Sequence, residues 1–97
     1  MPISENLAKI APAEDIRELP IAIFLADLTT RMNWDPDQFH LFRECGNLYI
    51  EVKAGGTKLR TGDCPPDYSY AFCIQDYSYA YQVKLVMDSI QASGLFD

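Results

Sequence analysis

The chain has 97 residues, the usual size of one globular domain. Its hydrophobic fraction of 48% and charged fraction of 23% are those of a folded protein and argue against a wholly disordered chain. The formal net charge of −6 has the wrong sign for gripping a phosphate backbone or an anionic membrane. We therefore expect one small domain over residues 1–97 that binds neither nucleic acid directly nor a membrane.

The first third of the chain predicts helices. Ser4 is a suitable cap for a turn over residues 5–10, and Pro12 suits the first position of a second short helix. Residues 20–32 give the clearest helical pattern, because apolar side chains recur at i, i+3, i+4, i+7 and i+11. The predicted apolar stripe is Ile21, Phe24, Leu25, Leu28 and Met32.

A further helix is predicted after Trp34. The segment 35–38, Asp-Pro-Asp-Gln, resembles a helix start, with an acidic cap, proline at the first helical position and Gln three residues after the cap. The apolar residues of this helix are Phe39, Leu41 and Phe42. We expect the helix to end near Cys45, with Gly46 in the left-handed conformation that follows many helices.

After Gly46 the hydrophobic period changes to two, which predicts a strand with one buried face. Its apolar positions are Leu48, Ile50 and Val52, and the alternate positions are Tyr49, Glu51 and Lys53. Gly55-Gly56 predicts a hairpin turn into a return strand over residues 57–61, followed by a loop over residues 62–67. A third strand with an aromatic face is predicted from Tyr68, Tyr70, Phe72 and Ile74.

The C-terminal segment returns to helical spacing, with Ala80, Val83, Met87 and Ile90 on one face. Two i,i+4 ion pairs are predicted on helix surfaces, Asp27 with Arg31 and Lys84 with Asp88. The predicted core is Phe24, Leu25, Leu28, Ile50, Val52, Val83 and Ile90. The fold class is therefore α+β: N-terminal helices, a three-stranded antiparallel meander, and a C-terminal helix packed on one sheet face.

The cysteines favour a reduced compartment. Cys45, Cys64 and Cys73 are an odd number, and with His40 their spacing matches no common zinc site, so we expect free thiols with no metal and no cofactor. Cys45 and Cys73 are interpreted as small apolar fillers, and Cys64 as a loop residue. The chain also shows no signal-peptide pattern and no apolar run of membrane-spanning length, so we expect a cytoplasmic protein.

Catalytic chemistry finds little support in the residues. The single histidine, His40, has no evident acid or base partner in the sequence, and no serine lies in a G-x-S-x-G context. We therefore expect a protein that is not an enzyme.

A six-residue pattern occurs twice. Residues 67–72 read Asp-Tyr-Ser-Tyr-Ala-Phe, and residues 76–81 read Asp-Tyr-Ser-Tyr-Ala-Tyr. We place the first copy in a strand and the second at a strand-to-helix junction, so the repeat is one of composition. The tyrosines fit two roles, since their rings cover half-buried sheets and also supply contact area at binding surfaces. No Lys or Arg occurs from Thr61 through Val83, so the local field is expected to be negative.

These features favour a small acidic binding or regulatory protein that occupies a basic surface on a protein partner. Its sharpest form is a DNA-mimic inhibitor of a nucleic-acid-handling machine such as a CRISPR effector. The alternative is a subunit or assembly factor of a larger complex, held by an aromatic sheet face; an enzyme is the least favoured class. The predicted partner-binding residues are Asp63, Asp67, Tyr68, Tyr70, Asp76, Tyr77, Tyr79 and Glu51. The oligomeric state is left open.

Overall fold

A computed structural model describes residues 2–52 and 71–93. Its elements are α1 (Pro2–Ile10), α2 (Glu14–Arg17), α3 (Pro20–Met32), a 3-10 turn (Pro36–Gln38), β1 (Phe39–Glu44), β2 (Asn47–Val52), β3 (Ala71–Cys73) and α4 (Tyr79–Ser93). Helices precede an antiparallel sheet and one helix follows it, which confirms the predicted α+β class.

The sheet is built on the β1–β2 hairpin. The two strands pair antiparallel from Phe39 opposite Val52 to Glu44 opposite Asn47, so the loop is the pair Cys45 and Gly46. Their φ angles of 51° and 82° are both positive, as a two-residue type I′ turn requires. Gly46 therefore does adopt a left-handed conformation, but it turns a hairpin and does not end a helix.

The helix predicted after Trp34 is wrong. Asp35 caps as expected, with its Oδ1 accepting the backbone N–H of Asp37 at 2.9 Å, but the helical turn ends at Gln38. From Phe39 onward the chain is strand β1, whose cross-strand partners place alternate residues on opposite faces of the sheet. The same cap residues can begin a single 3-10 turn or a full helix. Here the hairpin turn after Glu44 pairs residues 39–44 with β2, and the segment is therefore a strand.

The predicted strand over residues 48–52 is confirmed as β2. A three-residue strand, β3, pairs antiparallel with β2, so that Cys73 lies opposite Tyr49. The hairpin at Gly55-Gly56, the return strand over 57–61, and Tyr68 and Tyr70 of the predicted third strand lie outside the described residues. The predicted meander is therefore not established.

Helix α3 spans the predicted residues, but its buried face is rotated toward small side chains. The buried residues are Ile21, Ala22, Leu25, Ala26 and Thr29. Phe24 and Leu28 are only half-buried, and Met32 is 53% exposed. Helix α1 packs along α3, where Asn6 Nδ2 donates to the hydroxyls of Thr29 at 3.1 Å and Thr30 at 3.0 Å. Small residues permit this close approach of α1 to α3. The face of α3 that carries Ala22, Ala26 and Thr29 is therefore buried, and the predicted stripe of larger side chains is buried only in part.

The main core lies between the sheet and the helices. The fully buried sheet residues on one face are Phe39, Leu41, Ile50 and Val52. Helix α4 packs against β2 and α3 through a face that buries Val86 and Ile90, while Met87 is exposed. Of the predicted core, Leu25, Ile50, Val52 and Ile90 are buried, and Phe24, Leu28 and Val83 are partly buried.

The C-terminal end of α3 carries the single tryptophan. Asn33 ends the helix in a left-handed conformation, with φ 57°. The N–H of Trp34 then donates to the carbonyl of Thr29 at 3.0 Å. The indole is half-buried, with its ring centre 6.4 Å from that of Phe39, so it joins the end of α3 to the start of β1.

Candidate functional site

The second hexad lies at the junction between β3 and α4, as predicted. Ser78 immediately precedes α4, and its hydroxyl accepts the backbone N–H of Tyr81 at 3.3 Å. This is the N-cap arrangement that satisfies one of the unpaired donors of a helix start. The turn before α4 and the first turn of α4 are thereby joined.

A second side chain fixes the same junction from inside the helix. Gln82 Nε2 donates to the carbonyl of Ile74 at 2.8 Å and to that of Tyr77 at 3.1 Å. The carbonyls at the end of the strand and in the turn are therefore tied to the first turns of α4. The backbone that carries Tyr77, Tyr79 and Tyr81 is therefore held by side-chain hydrogen bonds from Ser78 and Gln82.

Three exposed tyrosines lie at this junction, Tyr77, Tyr79 and Tyr81, and we call them together the tyrosine surface; Tyr79 and Tyr81, two residues apart on α4, point to different sides of the helix. They are exposed by 47%, 46% and 43% respectively. The rings of Tyr77 and Tyr81 pack with their centres 4.7 Å apart, and Tyr79 meets Phe24 of α3 edge-on at 6.5 Å. Each ring thus has a neighbour that limits its motion while much of its area stays in solvent.

An open groove adjoins the tyrosine surface between α1, α3 and α4. We call it the Tyr79 groove. Its volume is about 590 Å³, and it is lined by Ile3, Pro20, Ile23, Phe24, Asp27 and Tyr79. Ile23 is 48% exposed although it is a large apolar residue. A contiguous exposed apolar area of this kind marks binding surfaces more often than a scattered apolar residue does.

A smaller cavity also has Tyr79 in its lining. Its volume is about 320 Å³, and it is lined by Leu19, Pro20, Ile21, Arg43, Leu48, Gln75, Tyr79 and Gln82. Both side-chain amides in this lining have hydrogen-bond partners. Gln75 accepts the N–H of Leu48 at 3.1 Å and donates to Asn47 Oδ1 at 3.1 Å, and Gln82 makes the two bonds described above. The cavity is therefore a cleft between the N-terminal ends of two helices and the sheet, and it shares Pro20 and Tyr79 with the Tyr79 groove.

Charges of both signs lie near the tyrosine surface. Asp76 is exposed and directly precedes Tyr77. Lys84, the first basic residue after it, donates to Asp88 at 2.7 Å, and this hydrogen bond raises the pKa of the Lys84 ammonium. The predicted ion pair of Asp27 with Arg31 is also present, at 3.0 Å. Lys84 and Arg31 are thus matched by carboxylates, and Arg43, which lines the smaller cavity with Tyr79, is a further exposed cation nearby.

Glu51 does not take the position predicted for it. The expectation that it faces solvent is wrong: the residue is only 8% exposed, and its Oε1 lies 3.8 Å from Nδ1 of His40 on the neighbouring strand. The rings of Phe42 and Tyr49 stack beside it with centres 5.4 Å apart. Both faces of β2 are therefore buried, and Glu51 presents no carboxylate to a partner.

The other predicted site residues divide into two groups. Asp76, Tyr77 and Tyr79 come together at the junction, whereas Asp63, Asp67, Tyr68 and Tyr70 lie outside the described residues. Sequence reasoning missed the contribution of Ile23 and Phe24. Ile23 carried a signal, because it is a large apolar residue that lies off the predicted stripe of its helix.

Among the described residues, the cysteines and titratable groups form no second site of comparable definition. Cys45 is exposed at the hairpin turn, so its interpretation as a buried filler is wrong, while Cys73 is half-buried against the core. Within residues 2–52 and 71–93, no three His, Cys, Asp or Glu side chains are grouped to hold a metal ion. In the same part of the chain, no helix is both long and apolar enough to cross a membrane.

Comparisons with protein-family models, with curated proteins and with solved structures find no match to this chain. Function is therefore inferred from the chain's own residues. The feature with the clearest functional character is the tyrosine surface with its adjoining groove.

Proposed function

We propose that this chain is a small, non-enzymatic binding protein that contacts a basic surface of a protein partner through the tyrosine surface. The observation that carries the proposal is the exposure of three braced aromatic side chains on one helix start. Tyrosine is enriched at protein interfaces because it buries a large area at low entropic cost and keeps a polar tip. We propose that this binding takes place in the cytoplasm, because an odd number of cysteines favours a compartment that keeps thiols reduced.

The sign of the partner follows from charge. The net charge is −6, Asp76 borders the tyrosine surface, and Lys84 is paired with Asp88. Complementary charge speeds association and selects partners, whereas like charges are excluded. A partner with Lys and Arg around an apolar centre fits these properties.

The DNA-mimic form of the proposal requires rows of exposed carboxylates. Burial of Glu51 removes one of the carboxylates that sequence reasoning assigned to such a row. The remaining support for mimicry comes from Asp63 and Asp67, which lie outside the described residues. We therefore propose that the target is a basic protein surface. Inhibition of a nucleic-acid-handling machine is one form that this binding could take.

One observation favours a second function, a subunit of a larger complex. The Tyr79 groove is largely apolar, with Ile3 and Ile23 exposed at it. A permanent neighbour would bury such a surface by hydrophobic contact, which salt does not weaken, whereas an electrostatic contact is screened. Salt dependence therefore distinguishes the two functions.

The test is affinity capture from host lysate at about 100 mM and about 500 mM salt, since screening separates the two contacts. Four proteins are compared: the natural chain, Tyr77→Ala/Tyr81→Ala, Asp76→Lys, and the control Met32→Ala, which alters an exposed residue at the other end of α3. Support requires a basic protein that the natural chain and the control retain at low salt and that the first two variants lose. Their melting temperatures confirm that each variant is folded.

Two results contradict the proposal. One is unchanged capture of every retained protein by the folded Tyr77→Ala/Tyr81→Ala variant. The other is a partner that stays bound at the higher salt and to Asp76→Lys, which establishes the complex-subunit function. With the purified partner, charge reversal at Asp63 and Asp67 together is expected to slow association.

A further inference from the structure

The Tyr79 groove has the length of a short helical contact. Its lining follows α3 from Pro20 to Asp27, about 10 Å or two helical turns, and α1 adds Ile3 while α4 adds Tyr79. Apolar side chains separated by one turn would therefore meet Pro20 first and then Ile23 and Phe24, which lie one turn further along α3. This is the spacing of an amphipathic helix laid in a groove.

The backbone around the groove favours a helix over an extended peptide. Each lining residue within 2–52 and 71–93 belongs to α1, α3 or α4, and helices use their backbone donors and acceptors internally. The part of the chain that the structure describes offers a bound strand no sheet edge there, and the N–H and C=O groups of such a strand would lose water without gaining partners in it. A helix carries its backbone hydrogen bonds with it.

The charge around the groove favours a basic occupant. The exposed acidic residues within three positions of a lining residue are Glu5, Glu18 and Asp76. Asp27 itself lines the groove, and its side chain is 42% exposed although Arg31 holds one of its oxygens at 3.0 Å. Arg17 donates to the carbonyl of Pro12 at 3.1 Å, and Arg43 lines the neighbouring cavity with Pro20 and Tyr79. The four carboxylates therefore exceed the three nearby arginines by one.

The helix dipoles do not change the preference of the groove for a basic occupant. The groove lies near the N-terminal ends of its helices, where unpaired N–H groups attract anions. Pro20, the first residue of α3, has no N–H to offer, and at the start of α4 the hydroxyl of Ser78 accepts the N–H of Tyr81. The carboxylates therefore set the local preference.

We infer that the Tyr79 groove binds a basic amphipathic helix of the protein partner, an inference that rests on the proposed function. The helix places apolar side chains against Ile23 and Phe24. A Lys or Arg beside them reaches the Asp27 carboxylate and the face of the Tyr79 ring. A second copy of this chain is disfavoured as the occupant, because two molecules of charge −6 repel each other.

The first arm of the test uses three synthetic peptides of about 16 residues, long enough for four helical turns. One carries Leu at i, i+3, i+4 and i+7 with Lys on both sides of the stripe; the second has Glu in place of Lys; the third has Ser in place of Leu. Fluorescence anisotropy with the full chain is expected to show binding of the first peptide, at least about tenfold tighter than either of the others. Binding of the Leu/Lys peptide should weaken as salt is raised.

The second arm locates the contact. Ile23→Ser and Asp27→Asn are each expected to weaken binding of the Leu/Lys peptide at least about fivefold. The matched control is Met32→Ser, because Met32 is an equally exposed apolar residue on α3 that does not line the groove. Equal binding of the Lys and Glu peptides, equal binding by Ile23→Ser and Met32→Ser, or a dimer of the chain that Ile23→Ser abolishes would each overturn the inference.

The captured partner separates this inference from the proposed function. If Tyr77→Ala/Tyr81→Ala loses the partner and Ile23→Ser retains it, the proposed function stands and the groove inference is wrong. If neither variant loses the partner, the proposed function is wrong as well.

Discussion

Comparing the stability losses of Leu25→Ala and Leu28→Ala tests which face of α3 packs into the core. Leu25 is fully buried, whereas Leu28 is only half-buried and belongs to the stripe that periodicity alone favours. Leu25→Ala is expected to lower the free energy of unfolding by about 3 kcal/mol, from lost burial and the cavity left behind. Leu28→Ala is expected to lower it by about 1 kcal/mol, because the transfer free energy scales with the apolar area buried.

Urea denaturation followed by circular dichroism gives both values, and thermal melting checks them. For a domain of this size each kcal/mol shifts the melting temperature by about 4–8 °C, so Leu25→Ala should melt about 12–24 °C below the natural chain. A larger loss for Leu28→Ala than for Leu25→Ala would refute the rotated face. Equal denaturant slopes for the three proteins are the control that the unfolded state is unchanged.

Three further predictions follow from the local geometry. Ser78→Ala should cost about 1 kcal/mol in urea denaturation, because the N–H of Tyr81 loses its acceptor; an unchanged midpoint would contradict the cap. Cys45→Asn should stabilise the chain by about 0.5 kcal/mol, since Asn-Gly is the preferred type I′ pair; a loss would contradict that turn. The pKa of Lys84 is raised above 10.5 by Asp88, so its stabilisation is complete below that pH and lost only as pH rises through the folded pKa. The difference in melting temperature between the natural chain and Lys84→Met should therefore be constant from about pH 6 to about pH 9.

The sequence predicts long periodic elements well. Helix α3 has the predicted span because Pro20 starts it and a helical apolar pattern continues to Met32. Strand β2 follows from alternation after Gly46. In both elements the pattern covers enough residues for one period to exclude the other.

Local signals fail where two structures share them. The Asp35 cap begins a 3-10 turn or an α-helix equally well, and the outcome depends on whether the next residues find a strand partner. The buried face of α3 could not be predicted either. Ala22 and Ala26 are weak apolar signals, and they are buried because α1 packs closely on α3.

The candidate site was only partly predictable for a related reason. Tyrosine repetition identified Tyr77 and Tyr79, but the groove beside them requires residues from three helices that are distant in sequence. Burial of Glu51 was not predictable, because alternation assigns one face of a strand to solvent unless something covers it.

The position of Trp34 gives the molecule an optical reporter that is distant from the tyrosine surface. The indole packs on Phe39 beyond the C-terminal end of α3, whereas Tyr79 lies with Pro20 at the N-terminal end of the same helix. The 13 residues of α3 span about 20 Å between them. Tryptophan emission, excited where tyrosine does not absorb, therefore reports the integrity of the sheet–helix junction and is insensitive to direct quenching at the tyrosine surface. Tyrosine absorbance has no such locality, because Tyr49 is buried in the sheet, so Trp34 emission is the signal that follows unfolding separately from contact at the tyrosine surface.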